Sequence, residues 1–466
     1  MMADEKPNQK NDVLVDEASY EELRERLFNQ PQPKAKIENL NVPYVSWSSV
    51  AIPPNATDLQ KLTYVPGVVG EITEWIVRSA TRPNRMMALG VATAVVGTII
   101  GRRVCGPTES ATHVYLVMLA PTGYGKDWPL KAGQALLRRL GRRELIGPDS
   151  WSSDVGFQLL LQSQPLLCCF VDELGDMIAL LNSQDTNRFV SNTLSTLKRC
   201  YNAWEYIHTP QTKYTPMVEI VWPVVSIIAA STPESFFSSL VPRDVEGGLA
   251  NRCLPLPYEG LKRPAEQEVP SGAREVPPDL LARLKALPRA SASIMDQTVD
   301  GRVELMQIGW GPGAKELYYS HSRKMDNEET SDRRRYELGM RVCENAIRLA
   351  TNIAIGRGST LVEVEDMQWG LALAHQAYEA IVGGVRKYMI EYLHFPKFCM
   401  TLTEAYKSRK FIGKVDLHRD FFQHQKTGME LERANVALIK QGLIEVAKRY
   451  PSTGGPAISG WKWIGD

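Results

Sequence analysis

A lysine and a pair of acids carry the most legible chemistry in this chain. Lys126 closes the segment Ala120-Pro-Thr-Gly-Tyr-Gly-Lys-Asp127, and Asp172-Glu173 close the apolar run Leu166-Leu-Cys-Cys-Phe-Val171, 46 residues after the lysine. Gly123 and Gly125 let the loop's backbone N–H groups curl round a polyphosphate, with Lys126 supplying the cation. Pro121, Thr122 and Tyr124 complete that cradle. In a nucleotide-hydrolysing site, the first acid (Asp172) orients or binds Mg2+, and the second (Glu173) can polarise the attacking water. The loop departs from the usual pattern at both ends: Ala120 stands where a glycine is usual, and Asp127 where a Ser or Thr follows the lysine. A carboxylate at 127 could bind the metal directly or repel the phosphates. Its place at a helix N-terminus favours the anion, and an active ATPase is expected.

Three further positions are candidates by their place at element ends. The run Val224-Val-Ser-Ile-Ile-Ala-Ala230 ends in Ser231-Thr232-Pro233. Either hydroxyl could contact a γ-phosphate or the lytic water; Thr232 is preferred, and turn chemistry before a proline is the plainer reading. Arg252 directly precedes another apolar strand and could be donated to a neighbouring subunit's nucleotide, or could be a salt-bridged strand-end arginine. Arg243 is its reserve. Lys213 falls near the tip of a predicted β-hairpin over 206–221, where it could track a phosphate backbone or be an ordinary exposed turn lysine.

The elements that must position these groups follow from pattern. Strands are expected at 114–119, 166–171 and 224–230, buried and parallel, presenting their C-terminal ends to ligand. Helices are expected at 69–81 and 84–100, ahead of the first strand, from apolar residues at i, i+3 and i+4. Pro129–Leu140 reads as the helix of the phosphate loop, its terminal arginines complementing the helix dipole. Ser152-Ser-Asp154 caps a helix over 155–162, and 188–201 is helical. Residues 261–300 are rich in proline and charge, a linker around a helix at 279–287. Helices at 313–325, 333–355 and 364–382 form a lid; in the second, Arg341, Glu344 and Arg348 share a face.

Residues 1–60 are polar and proline-dotted and read as a flexible arm. Residues 385–466 read as three helices (385–392, 402–409, 429–441) and a two-stranded wing, a docking module for DNA or protein. The domain divisions are therefore 1–60, 61–112, 113–260, 261–384 and 385–466.

Composition narrows the class. The 466 residues are 44% hydrophobic and 23% charged, enough for several domains and a sizeable core. A net charge of +1 argues against a uniformly basic nucleic-acid binder, so any DNA contact must be local. Seven cysteines without C-x-x-C pairs indicate neither a disulfide framework nor structural zinc, and suggest reduced thiols in the cytoplasm. The N-terminal residues lack a signal-peptide core, and the most apolar stretch, 86–100, is too short for a membrane span, so no membrane partner is expected.

Taken in order, the phosphate loop, Asp-Glu strand, polar-ended strand, strand-edge arginine and lid-helix arginine resemble an AAA+ ATPase. The closer likeness is to the helicase module of phage, plasmid and other mobile-element primase-helicases, with superfamily 3 and MCM-like traits. Leu249-Ala-Asn-Arg252-Cys-Leu resembles the MCM arginine-finger strand, and Arg341-Val-Cys-Glu-Asn-Ala-Ile-Arg348-Leu-Ala the sensor-2 helix, which would give Arg341 that role. The likeness spans about residues 65–380. It implies an α/β fold: an AAA+ P-loop core of parallel sheet sandwiched by helices, with a helical N-terminal layer, a helical lid and a C-terminal winged helix. It implies a homo-oligomeric ring, expected to be a hexamer, using ATP and Mg2+ at subunit interfaces to move on single-stranded or forked DNA. Lys126, Asp172 and Glu173 would act in cis, Arg252 from the neighbour, and Lys213 would face the channel. Asp127 and Asp172 would hold the metal. No primase-like metal cluster is evident, so a separate primase or replication initiator would be the partner. A nucleotide-binding assembly or loader protein that does not unwind DNA is the competing implication.

Overall fold

The computed structural model describes residues 35–36, 40–151, 153–182, 188–202, 206–208, 219–241, 244–245, 247–256, 265–289, 305–327, 337–388, 390–421, 428–440, 443–451 and 456–465. After a single helical turn at Asp58–Lys61 come two longer helices, α1 (Gly67–Ser79) and α2 (Arg85–Ile99). The strands that follow are β1 (Tyr115–Leu119), β2 (Leu166–Val171), β3 (Tyr206–His208), β4 (Glu219–Val221), β5 (Val224–Ser231) and β6 (Cys253–Leu256). Four of them form a wholly parallel sheet in the order β2-β5-β1-β6. All four are buried along their length, which accounts for unbroken apolar runs in place of alternation. Parallel neighbours require crossovers, supplied here by α3 (Asp127–Arg139), α4 (Asp154–Ser163), α5 (Leu174–Asn182), α6 (Arg188–Tyr201) and α7 (Pro233–Ser239).

Register sets the working edge. Leu119 pairs with Ser231 and Val171 with Ala229, so β1, β5 and β2 end side by side. At the other end, Tyr115 pairs with Ile227 and Cys253. The helix α2 is apolar on every face and is buried from Met86 to Ile99 against this sheet. Its Gly90 permits the contact: a Cβ there would stand 2.5 Å from Leu256 Cδ1 and 2.7 Å from Leu116 Cδ2. The helical layer expected ahead of the sheet is thus part of the core.

The helices that follow are α8 (Pro278–Ala286), α9 (Ala314–Asn327), α10 (Val342–Gly356) and α11 (Val364–Tyr388). The continuous helix expected over 333–355 is interrupted by a turn at 340–341, which leaves Arg341 at the N-cap of α10. Between α10 and α11, fully buried Arg357 donates through Nε and Nη2 to Asp366 at 2.8 and 2.7 Å.

Two segments expected to be loose are docked. Residues 40–62, assigned to the arm up to residue 60, strap across α10 and α11. The Val45 N–H donates to Arg357 O at 2.8 Å, Trp47 Nε1 to Asp366 Oδ1 at 2.8 Å, and Trp369 Nε1 to Leu62 O at 2.8 Å. Buried Val42 and the Trp47–Trp369 ring contact supply the apolar part that the polar composition masked. In the expected linker, Gln267 bonds the carbonyls of Val77, Ala80 and Thr81 at the end of α1.

The C-terminal region has its own core, including Leu402, Tyr406, Leu417, Leu438 and Ile444. Helix α11 runs through the expected 384/385 boundary, and the two helices expected at 385–392 and 402–409 are replaced by the end of α11 and one helix, α12 (Ile390–Arg409). A strand β7 (Phe411–Gly413) and a helix α13 (Lys414–Phe421) precede α14 (Gly428–Lys440), β8 (Ile444–Arg449) and β9 (Ile458–Trp463). The C-terminal sheet is three-stranded and antiparallel, β7-β9-β8, where two strands were expected. Among the described residues, no helix is long and apolar enough to cross a membrane.

Candidate active site

The loop leaves β1 at Ala120, whose N–H donates to Ser231 O at 3.2 Å, and enters α3 at Asp127. Gly123 and Gly125 both take φ of +81°, the left-handed region. Gly125 has a second constraint: a Cβ would lie 2.2 Å from Arg82 O, so the loop is moulded against the turn between α1 and α2. Asn84 serves both sides, capping α2 through Met87 N and donating to Tyr124 O at 3.5 Å. Lys126 is buried, and its Nζ donates to Ala120 O at 3.0 Å, which holds the charge inside the loop's own turn. Thr122, Gly123 and Asp127 are exposed, while Pro121, Tyr124 and Gly125 are half-buried.

Asp172 and Glu173 follow β2 and are exposed. Glu173 has φ of +52°, a backbone state that an L residue adopts at a cost of roughly 1–2 kcal/mol. Its N–H donates to Asp172 Oδ1 at 3.1 Å, and its carbonyl accepts from Asp176 and Met177 at the start of α5. Strain of this kind at a polar strand end is a recurrent mark of functional sites.

Between loop and acids stands the end of β5. Buried Ser231 accepts from the Gly175 N–H at 3.3 Å, and Thr232 caps α7 by accepting from Ser235 N at 3.1 Å. Turn chemistry is therefore present at Thr232, whereas the Ser231 hydroxyl makes a tertiary bond to the start of α5. The cap uses a lone pair of Thr232 and leaves its proton available as a donor. With β5 inserted between β1 and β2, the loop and the acid pair are separated by two strand spacings, roughly 9.5 Å. That gap is wide enough for a phosphoryl group and a water.

A cavity of about 200 Å³ opens beside the same edge. Leu119 and Leu256, the last residues of β1 and β6, form its floor; Leu59 of the strap, Phe237 and Tyr388 wall it; Gln376 and Glu379 of α11 add polar groups. It has the composition of a small-molecule site, apolar with a few polar anchors. Only the position of these residues in three dimensions reveals it.

Arg252 and Arg341 lie elsewhere. Arg252 precedes Cys253, which pairs with Tyr115, so it sits at the opposite end of β1 from the loop, about 13 Å away along the strand. It is buried, donates to Gly248 O at 2.5 Å, and has its Cζ 5.6 Å from the Tyr201 ring centre. Burial and then the charge of Arg341 lower its pKa. Arg341 is 5.5 Å from the same ring and Arg348 4.0 Å. Glu344 accepts from both Arg341 and Arg348. Burial alone would raise the Glu344 carboxyl, but the two guanidinium groups outweigh it and hold the pKa below the usual glutamate value. Tyr201, which the sequence did not single out, is the hub of this cluster; a lone tyrosine at a helix end carries no pattern that could have revealed it.

Lys213 lies outside the described residues, as does Arg243. The predicted hairpin is present at its base, with β3 and β4 antiparallel and Ile207 opposite Ile220. Among the described residues no group of three or more His, Cys, Asp or Glu is arranged for a metal. The donor set at the loop nevertheless suits Mg2+, which takes one or two carboxylates and fills its shell with water and phosphate oxygens; Asp127 and Asp172 are exposed carboxylates on that edge. The six described cysteines are free and buried, and burial pushes the thiols of Cys105, Cys168 and Cys253 up to about 12.

Neither a family model nor a curated protein matches this chain. Its functional reading therefore stands on the site itself.

Proposed function

We propose that this chain is an AAA+ P-loop ATPase that assembles into a ring and works as a DNA helicase of a phage or other mobile element. The observation that carries the reading is the shared edge: Ala120–Asp127, Asp172-Glu173 and Thr232 all stand at the C-terminal end of one parallel sheet. Loop N–H groups and Lys126 bind the β- and γ-phosphates. The cavity under α11 takes the nucleoside. Glu173 accepts a proton from water as its oxygen attacks the γ-phosphorus, the bond to the β-phosphate oxygen breaks, and ADP and phosphate leave. Thr232 donates to the γ-phosphate or orients that water. Asp127 and Asp172 would hold Mg2+, which would supply charge neutralisation for the phosphates.

Arg252 and Arg341 cannot serve the loop of their own chain from the far end of the sheet. They serve a neighbour's nucleotide, which makes the site a property of the assembled ring. The C-terminal region, in this reading, is a winged helix that docks DNA or a partner protein, and the β3–β4 hairpin faces the channel. A separate primase supplies primers where they are needed.

ATP hydrolysis measured with and without single-stranded DNA, together with unwinding of a forked duplex, tests the proposal. Stimulated turnover and strand separation are expected. Asp127, a carboxylate where a neutral metal ligand is usual, favours one other reading, a nucleotide-binding loader; ATP binding without turnover would support it instead.

A further inference from the structure

We propose that the outer face of the C-terminal sheet β7-β9-β8 binds single-stranded nucleic acid, with bases stacked on Tyr450 and phosphates held by Lys410, Arg449 and Lys462 around Phe411. The proposal rests on the reading above only in taking DNA as the polymer. Positive charge is gathered in this region: residues 390–466 hold twelve Lys and Arg against eight Asp and Glu, a net charge of +4 where the whole chain has +1. The strands sort it by face. Ile412, Ile444 and Trp463 pack into the core with residues of α12, α13 and α14, so alternation turns Phe411, Arg449 and Lys462 to the other side.

Three cations meet at one ring. Lys462 is the register partner of Phe411, and the next row on that face is Gly413, Gly460 and Ala447, which carry nothing larger than a methyl group. Arg449 reaches across this shallow row, and its Cζ stands 5.0 Å from the Phe411 ring centre. Lys410 adjoins the ring along the chain. Lys462 has Glu445 at 3.6 Å, and among the described residues no acid pairs with Lys410 or Arg449, whereas Arg409 and Arg419 are engaged by Asp416 and Asp420. A guanidinium laid on an aromatic ring keeps its N–H edge for a phosphate.

Lys410 carries a second mark. It closes α12 with φ of +58°, its N–H donating to Tyr406 O at 2.8 Å and its carbonyl accepting from Trp463 N at 2.9 Å. Glycine is the usual residue at such a helix end, so a lysine stands there against the backbone's preference, as strained residues at binding surfaces do. Tyr450, directly after β8, is 75% exposed. Cations interleaved with an exposed ring match the phosphate–base repeat of a single strand, whose bases are open to stacking. A duplex hides its ring faces, and α14, the helix that would enter a groove, exposes Glu432, Val436 and Ile439.

Anisotropy of a fluorescein-labelled oligo-dT strand, titrated with the full-length protein without ATP across a salt series, tests the surface. Lys410→Gly relieves the strained backbone and is expected to keep or raise the melting temperature while weakening binding. With Arg449→Gln in the same chain, affinity should fall by about tenfold or more, and the slope of log K against log salt should flatten by about 1.4, the equivalent of two single-strand phosphate contacts. Tyr450→Ala should weaken binding by about tenfold with the slope unchanged, since it removes stacking and no charge. Parent-like affinity in the double variant or in Tyr450→Ala overturns the surface and leaves the motor reading intact. A blunt duplex bound as tightly as oligo-dT overturns the assignment to single strands. A parent protein that binds oligo-dT through these residues but hydrolyses no ATP upholds the surface and ends the motor reading.

Discussion

Arg252 and Arg341, 89 residues apart in sequence, flank one aromatic ring: their Cζ atoms lie 5.6 and 5.5 Å from the centre of Tyr201. Both therefore stand at the end of the sheet opposite the phosphate loop. The two arginines most suited to a phosphoryl group are out of reach of the lysine and acids that would hold one, and in the proposed ring they would reach the site of a second copy of the chain.

Glu173 separates binding from turnover. Glu173→Gln keeps the side chain's size and removes its basicity. ATP affinity by equilibrium titration is expected to stay near the parent value, while steady-state turnover falls by about 10²–10⁴. Equal loss of both would remove Glu173 as the base.

The cavity under α11 can be filled without harming the fold. Gly383 lines it, lies within the helix, and has nothing within 4 Å of the position a Cβ would take. Replacing a helical glycine gains up to about 1 kcal/mol of helix propensity. Gly383→Leu should leave the melting temperature unchanged or higher and raise the KM for ATP by about tenfold or more. An unchanged KM would move the nucleoside out of this cavity.

The strap is held by charge as well as packing. Asp366→Ala takes the bidentate partner from fully buried Arg357, leaving it Glu363 at 2.9 Å as its one remaining described ion pair, and removes the acceptor of Trp47. A loss of about 3–5 kcal/mol in urea unfolding is expected, and Arg357→Met in the same chain should recover much of it. Recovery failing in the double variant would assign the loss to something other than the weakened pairing of the buried charge.

His113 gives an acid limb to stability. It is fully buried, and burial, reinforced by the charge of Arg348, holds its pKa well below 6.5. The unfolded chain thus takes up the proton first. Stability from this group is complete above about pH 6.5 and declines as pH falls towards the folded pKa, by at most about 1.4 kcal/mol per pH unit. His113→Gln should flatten that slope between pH 7 and pH 5.5 in denaturant titrations; an unchanged slope would assign it to other groups.

Much of the site was legible because its parts are local. Glycine spacing with a following lysine, and an apolar run ending in two acids, are written in consecutive residues, and β1, β2 and β5 follow from buried parallel strands reading as unbroken apolar runs. The strap was not legible because the polar, proline-dotted residues before it dominate the first 60 positions, while its apolar side chains have no periodic pattern and Trp47 finds its partner Asp366 more than 300 positions away. The same holds for the cavity, assembled from Leu59, Leu119, Leu256 and α11, and for Tyr201, whose role comes from three arginines that converge only in the fold. The short strand Phe411–Gly413 gives too few residues for any periodicity to register.

Mixing two inactive variants tests the shared site most directly. Lys126→Ala lacks the loop's cation and Arg252→Ala lacks the donated arginine, and each alone is expected to be without turnover. Co-assembled in equal amounts, the loop of an Arg252→Ala subunit meets the intact arginine of a Lys126→Ala neighbour at about a quarter of the interfaces. Recovered ATP hydrolysis in the mixture is the predicted result. No recovery at any ratio, in particles shown to contain both variants, would contradict a site built from two subunits.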